Sequence, residues 1–259
     1  MAEHSGEPVG LNDALQALAL TNYGHFTSMR VEQGRVRGLS LHLDRLVRDC
    51  RAVFDTRLDP DRVREHIRRT APLDGTSVVR VTVFDPALGP GHIDRDAHPH
   101  VLVTTSPAGA APATPLRVRS VAYTRDMPEV KNVGLFGSLR HRREARRAGF
   151  DDVLFVDGRG RVCEGGTWNI GFVKGDRVVW PEADCLVGVT MRLLQRLHED
   201  SVTAPVTLAD AAGFDAAFAT NAVVGVRPVG ALDDLSFPAT HPLIDGLRDR
   251  YTALPGEPI

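Results

Sequence analysis

Lysine is nearly absent from this chain of 259 residues. Of its 31 basic residues only Lys131 and Lys174 are lysines, and all the others are arginines. Because arginine serves wherever a positive charge is enough, a lysine that remains points to chemistry that arginine cannot perform. A lysine amine can lose its proton and form an imine with an aldehyde, whereas a guanidinium has a pKa above roughly 12. Lys174 lies in a predicted hairpin tip. Lys131 is therefore the candidate for such chemistry, and an ordinary loop lysine is the alternative.

Other scarce features exclude several classes of protein. The three cysteines have no metal-ligand spacing, which favours reduced thiols in the cytoplasm. A net charge of −2 gives no electrostatic reason to expect nucleic acid or an anionic membrane as a partner. The apolar runs are too short to span a bilayer, and no basic-then-apolar signal peptide is visible at the N-terminus. We therefore expect a cytoplasmic protein without nucleic-acid or membrane partners.

A cluster of histidines is the one pattern that invites a metal interpretation. His92, His98 and His100 lie beside Asp94 and Asp96 in a segment rich in proline and glycine. A metal site is one reading of this cluster, and a polar surface loop is the other. The loop is the better reading of such a segment, so no metal is predicted.

The order of predicted elements indicates an α+β fold with mixed sheets. Predicted strands outnumber helices, and hairpins occur in both halves of the chain. Residues 106–115 form the one low-complexity segment, with the alanine, proline and glycine content of a linker. We therefore predict an N-terminal domain at 1–105, a linker at 106–115 and a C-terminal domain at 116–259.

Four features of the sequence are typical of an anionic cofactor site. Glu164 precedes Gly165-Gly166, where a sharp bend can turn a carboxylate towards a protonated ring nitrogen. Gly188-Val189-Thr190 is predicted to open a helix, whose backbone N–H groups can bind phosphate. Thr220 and Asn221 end a predicted strand with further donors, and Arg45 can pair with phosphate from a helix. Each feature alone also has an ordinary structural explanation, as a solvated turn, a helix cap or a surface arginine.

Together these residues resemble the class IV aminotransferases, the fold-type IV enzymes of pyridoxal 5′-phosphate (PLP). That family includes branched-chain and D-amino-acid aminotransferases and aminodeoxychorismate lyase. The resemblance covers about residues 20–230. It is carried by Phe26-Thr27-x-x-Arg30-Val31-x-x-Gly34-x-Val36, His42-x-x-Arg45-Leu46, Lys131, Asp157-Gly158-x-Gly160-x-Val162-x-Glu164, Asn169-Ile170, Leu186-x-Gly188-Val189-Thr190, Asn221-Ala222 and Arg227-Pro228-Val229.

The resemblance implies a fold, a partner and a role for each residue. It implies two domains, each with a mixed or antiparallel sheet and packed helices, with PLP in the interdomain cleft of a homodimer. Lys131 is implied to hold PLP as an aldimine and to move protons, and Glu164 to pair with the pyridine nitrogen. The implied phosphate-binding residues are Arg45, Gly188, Val189, Thr190, Thr220 and Asn221. The implied substrate residues are Tyr23, Phe26, Thr27 and Asn169.

The resemblance implies an aminotransferase that moves an amino group between an amino acid or amine and a 2-oxo acid. An aminodeoxychorismate lyase, which releases pyruvate and 4-aminobenzoate, is the alternative, and a PLP-binding protein without turnover is a further one. Thr27 stands where the branched-chain enzymes carry glutamate, and the first hairpin resembles the lyases more. The amino donor, its enantiomer and the role of residues 85–100 do not follow from the sequence.

Overall fold

The computed structural model describes residues 2–5, 10–110 and 114–259. The helices are α1 (Leu11–Thr21), α2 (Leu39–Phe54), α3 (Pro60–Thr70), α4 (Phe136–Arg147), α5 (Val189–Leu197) and α6 (Pro242–Ala253), with a 3₁₀ turn at Asp210–Gly213. The strands are β1 (Ala2–Ser5), β2 (His25–Glu32), β3 (Arg35–Val36), β4 (Thr76–Phe84), β5 (His100–Pro107), β6 (Leu116–Ala122), β7 (Asp152–Val156), β8 (Val162–Gly165), β9 (Asn169–Lys174), β10 (Arg177–Pro181), β11 (Ser201–Ala204), β12 (Ala216–Asn221), β13 (Gly225–Leu232), β14 (Leu235–Ser236) and β15 (Glu257–Pro258).

The chain forms two compact units. Unit 1 contains the described residues of 1–109, 130–134 and 255–259, and unit 2 contains those of 110–129 and 135–254. The predicted α+β class with mixed and antiparallel sheets is confirmed.

Unit 1 is built on an antiparallel sheet of six strands in the order β1-β5-β4-β2-β3-β15. Helices α2 and α3 contribute to the core on one side of it. Along α2, Leu39, Leu43, Leu46, Cys50 and Phe54 recur at helical spacing and are all buried in that core. Apolar residues at this spacing form the single stripe that a helix lays against a sheet.

The start of α2 depends on a glycine. Ser40 is a favourable N-cap by type, but the helix begins at Leu39 after Gly38, whose φ of +71° lies in the left-handed region. Ser40 lies inside the first turn, where its N–H and its hydroxyl donate to the carboxylate of Glu257. The glycine is favoured here because other residues adopt this conformation at a cost.

Unit 2 is built on a mixed sheet in the order β11-β10-β9-β12-β13-β6-β7-β8, with β14 paired to β13. The pairs β10–β11, β13–β6 and β6–β7 are parallel, and the other pairs are antiparallel. Helices α5 and α6 share a buried cluster that includes Met191, Phe218, Val226 and Tyr251. The predicted hairpin at Lys174 is confirmed as the turn between β9 and β10.

The two units differ in places from the sequence-based domain division, part of whose linker (111–113) lies outside the described residues. Residues 130–134 belong to unit 1 because their backbone pairs with β2, and 255–259 belong to it because β15 pairs with β3. Strand β5 also continues to Pro107, inside the predicted linker. Where independently folding domains begin and end stays a prediction.

Several general properties follow from the described part of the chain. None of its helices is long and apolar enough to cross a membrane. The three cysteines are free thiols. Of the predicted histidine cluster, His92 and His98 are exposed and His100 is buried on β5, and the described residues contain no group of three metal-ligand side chains.

Candidate functional site

The main chain at Lys131 is fixed on both sides within unit 1. The carbonyl of Lys131 accepts a hydrogen bond from Phe26 N (2.8 Å), and its N–H donates to Asp49 Oδ2 (3.1 Å). Next to it, Asn132 forms a bridge with His25. The side chain is partly buried, and Nζ lies 4.8 Å from the centre of the Phe26 ring. The chain therefore presents this amine from a held segment beside β2.

One face of α2 carries three buried polar residues at helical spacing, namely His42, Arg45 and Asp49. Arg45 donates from Nη2 to the hydroxyl of Thr27, and that hydroxyl lies 2.7 Å from His42 Nδ1. Asp49 accepts from Arg48 (2.7 Å) as well as from the Lys131 N–H. Buried polar groups are stable only when they are bonded, and these bonds connect α2 to β2 and to the lysine segment.

Burial keeps two histidines of unit 1 neutral. Burial, followed by the charges of Arg45 and Arg48, lowers the pKa of His25 from 6.5 to about 3. Burial, followed by the charges of Arg45 and Lys131, holds the pKa of His42 well below its ordinary value. A neutral imidazole carries one donor and one acceptor, so His42 can accept a hydrogen bond at one of its ring nitrogens.

The predicted substrate residues of unit 1 lie in different surroundings. Phe26 is buried, and the guanidinium carbon of Arg80 stacks 3.6 Å from its ring centre. Thr27 is fully buried against Arg45 and His42. Tyr23 is 40% exposed, and its hydroxyl donates to Val53 O (3.0 Å). The structure thus brings Phe26 next to Lys131 and Thr27 next to Arg45. The hydroxyl of Tyr23, in contrast, is bonded to the end of α2.

Glu164 is a buried carboxylate of unit 2 near the end of β8. Its Oε1 accepts from Arg125 Nε (2.9 Å), from Arg125 Nη2 (2.8 Å) and from Leu186 N (3.4 Å). The glycines that follow leave no space for a side chain, since a Cβ on Gly165 would lie 2.0 Å from the ring of Trp168. The carboxylate is thus held on one oxygen by a cation and a backbone donor.

The start of α5 is held by Asn169, which the sequence had assigned to the substrate. Asn169 Oδ1 accepts from Gly188 N (3.0 Å), and its Nδ2 donates to Leu186 O (2.6 Å). Gly188 is the N-cap of α5, and no described side chain caps this helix end. The first N–H groups of an α-helix lack partners within the helix. Val189 and Thr190 therefore begin a helix whose terminus is suited to an anion.

Thr220 lies directly opposite Asn169 in the pairing of β12 with β9, so both side chains point to the same face of the sheet. Thr220 is buried, and its hydroxyl has no hydrogen-bond partner among the residues that the structure describes. A buried polar group in this state costs roughly 1–3 kcal/mol. Asn221, by contrast, uses its side chain to close the turn to β13, where Oδ1 accepts from Val223 N and Val224 N.

Sequence reasoning missed several residues that surround the predicted site residues of unit 1 and of unit 2. Asp49 lies seven residues after His42 and four residues after Arg45, a spacing that would have indicated a shared helical face. Arg80 and Arg125 gave no such signal among so many arginines. Tyr251 lies on α6, a helix that the sequence did not indicate, and its hydroxyl is 3.4 Å from Thr190 Oγ1.

Comparisons with known proteins agree on one family. A sequence model described as amino-transferase class IV matches residues 24–232. A probable branched-chain-amino-acid aminotransferase from Synechocystis sp. is 25% identical over 117 residues, which is 43% of this chain and 38% of that protein. The chain spans less than two fifths of the length of the curated relatives it matches.

Solved structures show the same fold at low sequence identity. A branched-chain aminotransferase from Thermoproteus uzoniensis, determined with norvaline, has a TM-score of 0.83 at 21% identity, with 97% of this chain and 93% of that chain covered. A putative 4-amino-4-deoxychorismate lyase from Legionella pneumophila has a TM-score of 0.80 at 23% identity, with 95% of each chain covered.

Proposed function

Because the chain belongs to the class IV aminotransferase family, whose cofactor is PLP, we propose that it is a PLP-dependent aminotransferase. In this proposal it transfers an amino group between an amino acid or amine and a 2-oxo acid. The observation that carries the proposal is the placement of Lys131. In a chain with only one other lysine, this amine is presented from a main-chain segment that Phe26 N and Asp49 hold.

The residues present fit the chemistry of PLP. The cofactor has an aldehyde, a phosphate and a basic ring nitrogen, and the chain supplies an amine, a cation with a helix terminus, and a carboxylate. The unbonded hydroxyl of Thr220 supports the fit, because a phosphate oxygen would satisfy a donor that no described group accepts. Thr190 and the uncapped terminus of α5 add donors of the same kind.

We assign one role to each of the residues that would act on the cofactor and substrate. Lys131 would attach the cofactor covalently and, once released, would take the proton from the substrate Cα and deliver it to the aldehyde carbon of the cofactor. Arg45 and the start of α5 bind the phosphate, and Thr220 donates to it. Glu164 holds a proton on the ring nitrogen, and Arg125 keeps that carboxylate oriented. Bound PLP supplies an electron-poor ring that stabilises negative charge at Cα.

An aminodeoxychorismate lyase remains the second candidate. It is favoured by Thr27, which occupies with a neutral hydroxyl the position where branched-chain enzymes carry glutamate. The likeness to the Legionella protein supports the same alternative. Lys131 and Glu164 serve both reactions, so only the substrate separates them. Amine transfer to a 2-oxo acid supports the first function, and release of 4-aminobenzoate without a second substrate supports the other.

The decisive experiment compares Lys131→Arg with Lys174→Arg. Wild-type protein purified with PLP is expected to be yellow, and borohydride is expected to fix the cofactor on one lysine that peptide mass mapping identifies among only two. Lys131→Arg keeps the charge and most of the bulk but loses covalent attachment and turnover. Lys174 is 61% exposed in a surface turn, so Lys174→Arg should behave as wild type.

Three outcomes contradict the proposal. Borohydride labelling at Lys174, or measurable turnover in Lys131→Arg, removes Lys131 from its role. A yellow protein that no amino donor converts to the pyridoxamine form, and that releases nothing from aminodeoxychorismate, is a PLP-binding protein without turnover.

A further inference from the structure

The hydroxyl of Thr27 connects Arg45 to His42 inside unit 1. Thr27 lies on β2, whereas His42 and Arg45 lie on α2, and all three side chains are buried. Arg45 Nη2 donates to Thr27 Oγ1, and Thr27 Oγ1 lies 2.7 Å from His42 Nδ1. The same Nη2 lies 3.5 Å from His42 Nδ1. The guanidinium of Arg45 and the imidazole of His42 thus meet at one hydroxyl away from water.

Counting protons gives these contacts a direction. A guanidinium only donates, so Thr27 accepts from Arg45 and keeps its own proton for His42 Nδ1. That nitrogen must then carry a lone pair, which also suits the nearby Nη2, and the imidazole proton lies on Nε2. In this arrangement the proton on the buried His42 Nε2 has no hydrogen-bond partner among the described residues. The opposite tautomer would leave that nitrogen and the Thr27 proton both unsatisfied.

The position of Thr27 suits a neutral acceptor. A hydroxyl orients the guanidinium of Arg45 and leaves its positive charge intact. Anchoring one nitrogen of a planar guanidinium restricts the whole group, which lowers the entropy lost when it binds a ligand.

We propose that Thr27 and His42 are positioning residues that orient the guanidinium of Arg45 for the phosphate of the cofactor. This inference rests on the proposed function. In this proposal Thr27 acts on Arg45 and does not contact the substrate.

The test compares the affinity for PLP with the affinity for pyridoxal, which lacks the phosphate. Thr27→Val removes the hydroxyl and keeps the shape, Thr27→Ser keeps the hydroxyl, and Thr70→Val removes another buried hydroxyl of unit 1, one that donates to His66 O (2.9 Å). Thr27→Val should weaken PLP binding by about tenfold or more, the effect of one charge-assisted hydrogen bond, and leave pyridoxal binding unchanged. Thr27→Ser and Thr70→Val should keep the wild-type ratio.

A second readout needs no variant. Nitrogen-15 NMR of the wild-type protein should show His42 Nδ1 unprotonated and Nε2 protonated. A proton on Nδ1, or an unchanged PLP-to-pyridoxal ratio in Thr27→Val, overturns the inference and leaves the proposed function intact. A wild-type protein that does not bind PLP overturns the proposed function and this inference with it.

Discussion

Lowering the pH from 7 to 5 is expected to destabilise unit 1 through His25. Its side chain is fully buried, and neither ring nitrogen has a hydrogen-bond partner among the described residues. Burial is the largest cause that lowers the pKa of His25, and the charges of Arg45 and Arg48 lower it further, from 6.5 to about 3. His25 therefore stays neutral in the folded protein at pH values where the unfolded chain protonates it.

The sign and size of the effect follow from proton linkage. Between pH 6.5 and 3 the unfolded state binds more protons at His25 than the folded state, so the free energy of unfolding falls as the pH falls. From pH 7 to pH 5 this difference amounts to about 2 kcal/mol at the one site. A loss of this size is a large part of the roughly 5–15 kcal/mol that stabilises an ordinary domain.

The assay is urea unfolding at several pH values for wild type and His25→Leu, at a fixed cofactor concentration. Far-UV circular dichroism is the suitable signal, because both tryptophans, Trp168 and Trp180, belong to unit 2. Wild type should lose about 2 kcal/mol more than His25→Leu between pH 7 and pH 5. His92→Gln alters an exposed histidine and should follow wild type. Equal pH dependence of wild type and His25→Leu would refute the reasoning.

Two further predictions concern the carboxylate and the assembly. Glu164→Gln should lower turnover by about 10²-fold or more while the cofactor stays bound, because an amide cannot hold the proton on the ring nitrogen. Steady-state kinetics, measured together with the absorbance of bound PLP, checks this prediction. An unchanged rate would remove Glu164 from its role. The homodimer stays a prediction, and Phe136 (78% exposed) and Leu139 (51% exposed) form an apolar face of α4 that suits it. Phe136→Arg should therefore give a monomer in analytical ultracentrifugation, whereas Arg143→Ala on the same helix should not, and a dimeric Phe136→Arg variant would exclude this face.

Local signals in the sequence predicted most elements because those elements are fixed by local chemistry. Helix α3 has Asp59 as its N-cap and Pro60 in its first turn, both of which the pattern indicates. The turn after Lys174 has Gly175 at φ +57°, a conformation that glycine favours. Helix α6 was missed, since its N-cap is His241, which is not typical of that position, and Pro242 in its first turn is equally common in turns.

The periodicity of the sequence could not predict pairing between distant segments. Residues 130–134 show no alternating pattern, yet they pair with β2, about a hundred residues earlier. Such a contact depends on the whole of unit 1 being folded, and no window of neighbouring residues encodes it. The same limit applies to Arg125, whose bond to Glu164 spans 39 residues of sequence.

The candidate site was predictable in its residue types and not in the bonds that hold them. Lys131 was visible through its rarity, and Arg45 through a motif, but neither property shows which residues hold these two side chains in position. In the structure Asp49 fixes the main chain of Lys131 through its N–H, and Thr27 fixes the guanidinium of Arg45. A buried charge without partners costs far more than one hydrogen bond returns, so the buried guanidinium of Arg45 requires a polar neighbour. A polar residue at helical spacing from a predicted site residue, as Asp49 is from Arg45, is therefore the signal to seek in the sequence.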